Sequence, residues 1–114
     1  ELKKTNDIIE KLQGLKMNLY RPAFGITNPR ISKAIKTLNL TTIGWSVRSL
    51  DTTKDTKEII LTRVVKNLQK GDVVLLHDTS QKTVEVLEQL LIFLDEKKWR
   101  SIGVDQLLNI KPYA

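Results

Sequence analysis

The order of apolar patterns constrains the fold of this 114-residue chain most strongly, because helix-like and strand-like segments alternate along it four times. The helical segments are amphipathic and about three turns long. The strand-like segments are short and rich in β-branched or aromatic residues. This alternation predicts an α/β fold in which repeated αβ units form a parallel sheet with right-handed crossovers.

The same patterns predict the position of each element. Helical spacing predicts helices over residues 2–15, 29–38, 57–68 and 83–97. Strands are expected over residues 17–20, 41–47, 73–76 and 101–104, and a closing turn or helix over residues 104–108. Asn28 and Thr56 are expected to cap the second and third helices. The inner face of the fourth helix is predicted to carry Val84, Leu87, Leu90, Leu91 and Leu94.

Composition excludes several classes of protein. Hydrophobic residues make up 40% of the chain and charged residues 28%, a globular balance rather than a disordered one. The absence of cysteine excludes disulfides and thiolate metal sites. No apolar run is long enough to span a membrane. The net charge of +6 comes from Lys and Arg scattered along the chain, which favours a solvated surface over a nucleic-acid interface.

His77 is the first candidate for chemistry, and it is the only histidine of the chain. It directly follows the apolar run 73–76, a continuous pattern that suits a strand buried on both faces of a parallel sheet. Parallel α/β folds place their chemistry at the carboxyl ends of strands. An imidazole at such a position can exchange a proton near neutral pH. A purely structural histidine is an equally good interpretation of the position alone.

Two further segments follow predicted strands. Arg21 precedes a proline, so its guanidinium can be fixed to orient a carboxylate or bind an anion, or can form an ordinary surface ion pair. Phe24 and Gly25 form a loop whose backbone amides could approach an oxyanion, or a simple turn. Asp51 lies in the loop after the strand 41–47 and could hydrogen-bond His77 and set its tautomer. Asp51 could equally begin the next helix.

Three motifs in this order resemble the C-terminal half of the polysaccharide deacetylase family, the NodB-homology domain of carbohydrate esterase family 4. Residues 21–25 (Arg-Pro-Ala-Phe-Gly) resemble the family motif Arg-Pro-Pro-Tyr/Phe-Gly. Residues 41–47 followed by Asp51 resemble its central strand and acidic loop. Residues 71–79 (Gly-Asp-Val-Val-Leu-Leu-His-Asp-Thr) resemble its last motif. The resemblance implies half of a distorted (β/α) barrel.

The resemblance also implies roles for single residues. Arg21 would orient the catalytic base, Asp51 would tune His77, and His77 would act as the general acid. The backbone amide of Phe24 would help hold the acetyl oxyanion, and Gly25 beside it would belong to the substrate-binding residues. Leu75 would line the pocket for the acetyl methyl group. The activity implied is the hydrolytic removal of acetyl groups from N-acetylated or O-acetylated sugars.

The chain also departs from the family pattern. Thr52 stands where the family has a groove tryptophan, and Arg48 stands where an acidic residue is frequent. The family's Thr-Phe-Asp-Asp and His-x-x-x-His motifs do not occur in the sequence. We therefore expect residues 1–114 to be a partial domain without the metal-binding half. The complete domain would use a divalent metal, with zinc expected, whereas no metal ligand and no bound cofactor are expected in this chain.

On these expectations the isolated chain should be inactive. Two alternatives from other functional classes stay open. One is a non-enzymatic half-barrel that binds carbohydrate or self-associates, and self-association is expected because a half-barrel exposes an unpaired strand edge. The other is a small basic module that binds nucleic acid, which the low aromatic content of 5% disfavours. The expected partner is an acetylated carbohydrate, with no nucleic acid and no membrane span. That substrate class favours an extracellular or cell-envelope location, with a cytoplasmic location as the alternative.

Overall fold

The computed structural model describes residues 2–22 and 28–113. In chain order the elements are α1 (Leu2–Gln13), β1 (Leu19–Tyr20), α2 (Pro29–Thr37), β2 (Thr41–Thr42), β3 (Val47–Arg48), α3 (Lys57–Val65), β4 (Val74–Leu75), α4 (Gln81–Glu96) and α5 (Val104–Leu108). They form two compact units, one of residues 1–44 and 108–114 and the other of residues 45–107. We call these unit 1 and unit 2. No helix of the described part is long and apolar enough to cross a membrane.

Unit 1 is built around a parallel β–α–β arrangement. Strand β1 pairs with β2, so that Leu19 lies opposite Thr41. Helix α2 connects the two strands and begins as predicted, because the side chain of Asn28 accepts a hydrogen bond from the backbone N–H of Ile31. The end of the chain returns to this unit, where the backbone N–H of Asn18 donates to the carbonyl of Pro112 at 2.9 Å.

Unit 2 repeats the β–α–β arrangement with β3, α3 and β4. Val47 lies opposite Val74, and Arg48 opposite Leu75, again in parallel. Helix α4 packs against α3. The apolar core between these helices contains four fully or almost fully buried side chains, namely those of Ile60, Val64, Val86 and Leu90. The predicted α/β class with parallel strands is thus confirmed, but the described strands form two pairs rather than one sheet.

The strand predicted over residues 41–47 is wrong in one respect, because the chain forms two short strands there. Thr41–Thr42 pairs within unit 1, and Val47–Arg48 pairs within unit 2. Between them, the carbonyls of Ile43 and Gly44 accept hydrogen bonds from the Arg21 side chain, each at 3.2 Å. A β-branched run predicts extended backbone but not the point at which the strand changes partner.

The inner face predicted for the fourth helix is right for Leu90, which is buried, but wrong for other positions. Thr83, Val86 and Leu90 are the buried residues of α4, whereas Val84 and Leu87 are exposed. Both sets have helical spacing, so periodicity alone could not choose between them. The helix also begins earlier than predicted, because Ser80 caps it and accepts a hydrogen bond from the N–H of Thr83. An N-cap at Ser80 places Thr83 inside the first turn and turns it toward the core.

Three further features of the described chain differ from the prediction. No strand forms over residues 101–104 in the described part, and Val104 instead begins α5. Helix α3 ends at Val65, not at residue 68. The apolar run 73–76 is half-buried throughout, so the expectation of a strand buried on both faces is wrong for the described chain. Two-stranded pairs leave each strand one open edge, which explains this partial burial.

Candidate active site

His77 and Asp51 lie together in unit 2, as the sequence predicts. His77 follows β4 by two residues, and Asp51 lies in the loop after β3. The imidazole Nδ1 of His77 is 2.8 Å from Oδ1 of Asp51, and the backbone N–H of His77 donates to Oδ2 at 2.7 Å. The parallel pairing of β3 with β4 brings the two loops to the same edge. The alternative that Asp51 caps α3 is wrong, because Thr56 is the cap.

The loop that carries Asp51 is tied to the neighbouring strand. The hydroxyl of Ser49 donates to the carbonyl of Leu75 at 2.7 Å and accepts a hydrogen bond from the backbone N–H of Asp51 at 3.3 Å. Leu50 adopts a positive φ of 57°, a left-handed conformation that is rare for a branched side chain. The anchored Ser49 and the turn at Leu50 together direct Asp51 back toward His77.

Two cationic side chains, one on each of the helices α3 and α4, form hydrogen bonds with the same loop. Arg63 of α3 donates to the carbonyl of Ser49 at 2.7 Å and pairs with the carboxylate of Asp55 at 2.6 Å. Its hydrogen bond to Asp55 is the main reason that the pKa of this carboxyl lies below its ordinary value. Lys82 of α4 donates to the carbonyls of Thr53 and Asp55 at 2.6 and 2.8 Å. The loop therefore has fixed partners on both helices.

Thr83 is a member of the site that the sequence analysis missed. Its hydroxyl donates to Oδ2 of Asp51 at 2.8 Å, and the Thr83 residue is only 5% exposed. The available signal was the spacing of Ser80 and Thr83, in which a cap is followed three residues later by a polar residue on a helix. The prediction started the helix at Thr83 itself. It therefore did not place the Thr83 hydroxyl on the buried face of the helix.

The buried carboxyl of Asp51 is held in its ionised form. Burial by itself raises its pKa, since the charged form is poorly solvated. The hydrogen bonds from the His77 backbone, the His77 ring and the Thr83 hydroxyl outweigh that effect, and the pKa of Asp51 lies below its ordinary value. Its side chain is 1% exposed, against 45% for His77. The pair thus joins a dry carboxylate to an imidazole that meets solvent.

The charge of Asp51 fixes the tautomer of His77. An ionised carboxylate only accepts hydrogen bonds, so Nδ1 of His77 must carry the proton that it shares with Asp51. In the neutral imidazole this leaves Nε2 as the basic nitrogen, and in the imidazolium Nε2 also carries a proton. The arrangement can therefore accept or deliver one proton at Nε2 while the ring stays in place.

The other predicted site residues are placed less completely. Arg21 lies in unit 1 at the end of β1, where its Nε and Nη2 atoms donate to the carbonyls of Ile43 and Gly44. Phe24 and Gly25 lie outside the described residues. Leu75 is half-buried in β4, two residues before His77. The structure thus brings together Asp51 and His77, with Leu75 nearby in the same strand and loop.

The described residues do not fit a metal ion. Within residues 2–22 and 28–113, no three His, Cys, Asp or Glu side chains form a group that could hold one. In the pair Asp51 and His77, Oδ1 of Asp51 faces Nδ1 of His77, and Oδ2 of Asp51 accepts from Thr83. We therefore assign no chemical step of this chain to a metal.

Comparison with known proteins identifies the family. No protein-family model matches the chain. A peptidoglycan-N-acetylglucosamine deacetylase of Bacillus cereus is 35% identical over 98 residues, which cover 82% of this chain and 46% of that protein. The solved peptidoglycan deacetylase PdaC of Bacillus subtilis matches with a TM-score of 0.82 and 25% identity, covering 94% of this chain and 52% of that one.

A third match is a solved structure described as a CE4 family pseudoenzyme from Bacillus anthracis, with a TM-score of 0.80, 27% identity and coverage of 94% of this chain and 38% of that one. The chain spans less than half the length of the curated Bacillus cereus relative and about half of the PdaC structure. The resemblance read from the three motifs and the half-barrel fold are both confirmed by these matches. The chain is a homologue of the polysaccharide deacetylases of carbohydrate esterase family 4, the NodB-homology family.

Proposed function

We propose that this chain is the acid-supplying part of a hydrolase that removes acetyl groups from N-acetylated sugars. The observation that carries the proposal is the bond between the buried Asp51 carboxylate and Nδ1 of the solvent-exposed His77 ring. The relatives named as peptidoglycan deacetylases support the substrate class. An O-acetylated sugar would need the same proton delivery, to an alcohol instead of an amine.

The reaction is a hydrolysis in which water adds to the acetamide carbonyl carbon and the C–N bond breaks. His77 in its imidazolium form donates the Nε2 proton to the leaving nitrogen, so that the products are acetate and the free amine. Asp51 stabilises the imidazolium before transfer and holds the ring so that only Nε2 faces the substrate. The activation of water is not assigned to any residue of this chain.

The remaining predicted residues have roles that follow the family pattern. Leu75 would pack against the acetyl methyl group, and the backbone at Phe24 and Gly25 would contact the carbonyl oxygen. Arg21 uses Nε and Nη2 on backbone carbonyls, which leaves Nη1 to orient a catalytic carboxylate. We propose that such a carboxylate, and the divalent metal with zinc as the expected ion, belong to a metal-binding half of the domain outside residues 1–114.

Acetate release tests the proposal. The full-length gene product should release acetate from N-acetylated peptidoglycan or chitin oligomers, whereas the 114-residue chain alone should not. His77→Ala should lower turnover about 10²–10⁴-fold, the usual contribution of a general acid. The metal content of the full-length protein should stay unchanged in this variant. A loss of metal would make His77 a ligand instead, and absence of acetate release from the full-length protein would contradict the proposal.

A non-enzymatic module is the second candidate, because one of the solved relatives is described as a pseudoenzyme. In that case the full-length protein would bind acetylated sugar polymers without releasing acetate. Equilibrium binding and acetate release, measured on the same preparation, distinguish the two functions. Retention on peptidoglycan with no acetate released, and no effect of His77→Ala on retention, would favour the module.

We also propose that the isolated chain self-associates. Strands β1 and β2 form a pair with open edges, and helix α1 exposes Ile8 and Leu12, the latter 70% exposed. Light scattering over a range of concentrations should show dimers or larger species. Leu12→Lys should shift the equilibrium toward monomer, and the matched change Lys11→Ala on the same helix should not. A monomer at every concentration would contradict this proposal.

A further inference from the structure

The two oxygens of the Asp51 carboxylate have different hydrogen-bond partners. Oδ1 faces Nδ1 of His77 at 2.8 Å, and Oδ2 accepts both the His77 backbone N–H at 2.7 Å and the Thr83 hydroxyl at 2.8 Å. At 1% exposure Asp51 has no access to bulk water that could replace a lost donor. The orientation of the carboxylate therefore depends on these protein donors.

The side-chain hydrogen bonds that link Ser80, Thr83 and Asp51 all run in one direction. Because the Asp51 carboxylate only accepts, the single hydroxyl proton of Thr83 must point to it. The contact of 3.2 Å between the hydroxyls of Ser80 and Thr83 then requires Ser80 to donate. The sequence of donors runs from the N-cap Ser80 through Thr83 to Asp51, and the opposite oxygen of Asp51 receives the proton of His77.

The position of Thr83 on α4 is fixed independently of this contact. Its backbone N–H donates to the Ser80 hydroxyl that caps the helix, and its side chain lies on the same buried face as Val86 and Leu90. A 16-residue helix packed on α3 is a rigid support. A donor mounted there can fix a loop carboxylate more firmly than a donor on a second loop.

We propose that Thr83 is a positioning residue, whose hydroxyl orients the Asp51 carboxylate so that His77 is held as the Nδ1–H tautomer with Nε2 directed to substrate. This inference deepens the proposed function and rests on it for the role of Nε2. Thr83 itself touches no substrate. The orientation of Asp51 and the tautomer of His77 can be measured in the chain without any catalytic assay.

The experiment compares three variants of the 114-residue chain by NMR. Thr83→Val keeps the shape of the side chain and removes the donor, and Thr83→Ser keeps the donor. Lys82→Met is the matched control, because Lys82 holds the same loop by carbonyls but does not contact Asp51. The readouts are the titration of the Asp51 carboxyl carbon and the ¹⁵N shifts of the His77 ring.

In Thr83→Val we expect the pKa of Asp51 to rise and the His77 ring to lose its single tautomer. Thr83→Ser and Lys82→Met should keep the pKa of Asp51 and the tautomer of the unmodified chain. Equal shifts in Thr83→Val and Lys82→Met would overturn the inference, since a merely structural role of the loop would then explain both. An unchanged pKa of Asp51 in a folded Thr83→Val variant would overturn the inference as well.

A second measurement covers the case in which Thr83→Val does not fold. In the unmodified chain the Thr83 hydroxyl proton should give an NMR signal protected from exchange with water, because it is bound to a buried carboxylate. Exchange as fast as that of an exposed threonine would overturn the inference. Because neither measurement uses turnover, a failure here is distinct from an absence of deacetylase activity.

Discussion

Unit 1 and unit 2 share the same β–α–β arrangement but differ in how they bury their residues. Among the described residues, four of the five buried apolar side chains lie in unit 2, and Ile43 is the one in unit 1. Unit 2 also buries Ser49, Asp51 and Thr83. The proposed acid site lies in the unit that has its own core.

The difference shows what a fixed polar site needs. The carboxylate of Asp51 keeps its geometry because helices α3 and α4 support the loop around it through Arg63, Lys82 and Thr83. Unit 1 instead exposes apolar residues on α1, and Arg21 satisfies backbone carbonyls there. In unit 2 the helix pair α3–α4 thus provides the rigid, water-excluding support behind the polar site.

Truncation of the unit 2 core should have the largest effect. Leu90→Ala removes a side chain that is 4% exposed, and it should lower the free energy of unfolding by about 2–5 kcal/mol. Leu87→Ala on the same helix removes a side chain that is 40% exposed and should cost under about 1 kcal/mol. Urea denaturation of both variants measures the difference. Equal losses of unfolding free energy would contradict this difference, and would support the inner face that the sequence had predicted, which includes both residues.

Removal of the Asp51 charge should have the next largest effect, and it should depend on pH. The pKa of Asp51 is lower in the folded chain than its ordinary value, so ionised Asp51 stabilises the fold above that ordinary value, about 3.9. This stabilisation is lost as the pH falls through the folded-state pKa. Asp51→Asn should cost about 1–3 kcal/mol at neutral pH, and progressively less at lower pH.

Denaturation of the unmodified chain and of Asp51→Asn at several pH values measures that dependence. Asp55 also has a lowered pKa and contributes to the acid sensitivity of both proteins, so the difference between them isolates Asp51. A stability difference that stays constant from neutral to strongly acidic pH would show that Asp51 is not ionised in the folded chain.

The smallest effect is expected in unit 1. Arg21→Met removes two hydrogen bonds of 3.2 Å from an exposed guanidinium, and it should lower the free energy of unfolding by about 0.5–1 kcal/mol. Water can replace the lost donors at such a site. A loss as large as that of Leu90→Ala would show that Arg21 holds unit 1 together, which would remove the contrast between the units.

The sequence predicted most of the local elements and one long-range pair. The caps Asn28 and Thr56 could be predicted because a side-chain oxygen directly before a helix accepts a hydrogen bond from a backbone N–H of the first turn. The contact of Asp51 with His77 was readable because neighbouring parallel strands end at one edge. Its confirmation depends on the pairing of Val47 with Val74.

The rest required information that local patterns do not hold. Helix α4 has apolar residues on two sides, and only the packing against α3 decides that Val86 and not Val84 is buried. Thr83 was missed for the same reason, since its role depends on that rotation of the helix. After Thr42 the carbonyls of the next two residues bond to Arg21, a side chain distant in sequence, which a local pattern does not reveal.

The tautomer of His77 is the most direct test of the central claim. In the ¹⁵N NMR spectrum of the neutral ring, the account predicts a protonated Nδ1 and an unprotonated Nε2 in the unmodified chain. In Asp51→Asn the amide NH₂ can face Nδ1, and the proton should then move to Nε2. A neutral ring with the proton on Nε2 in the unmodified chain would contradict the assignment of His77 as an acid oriented by Asp51.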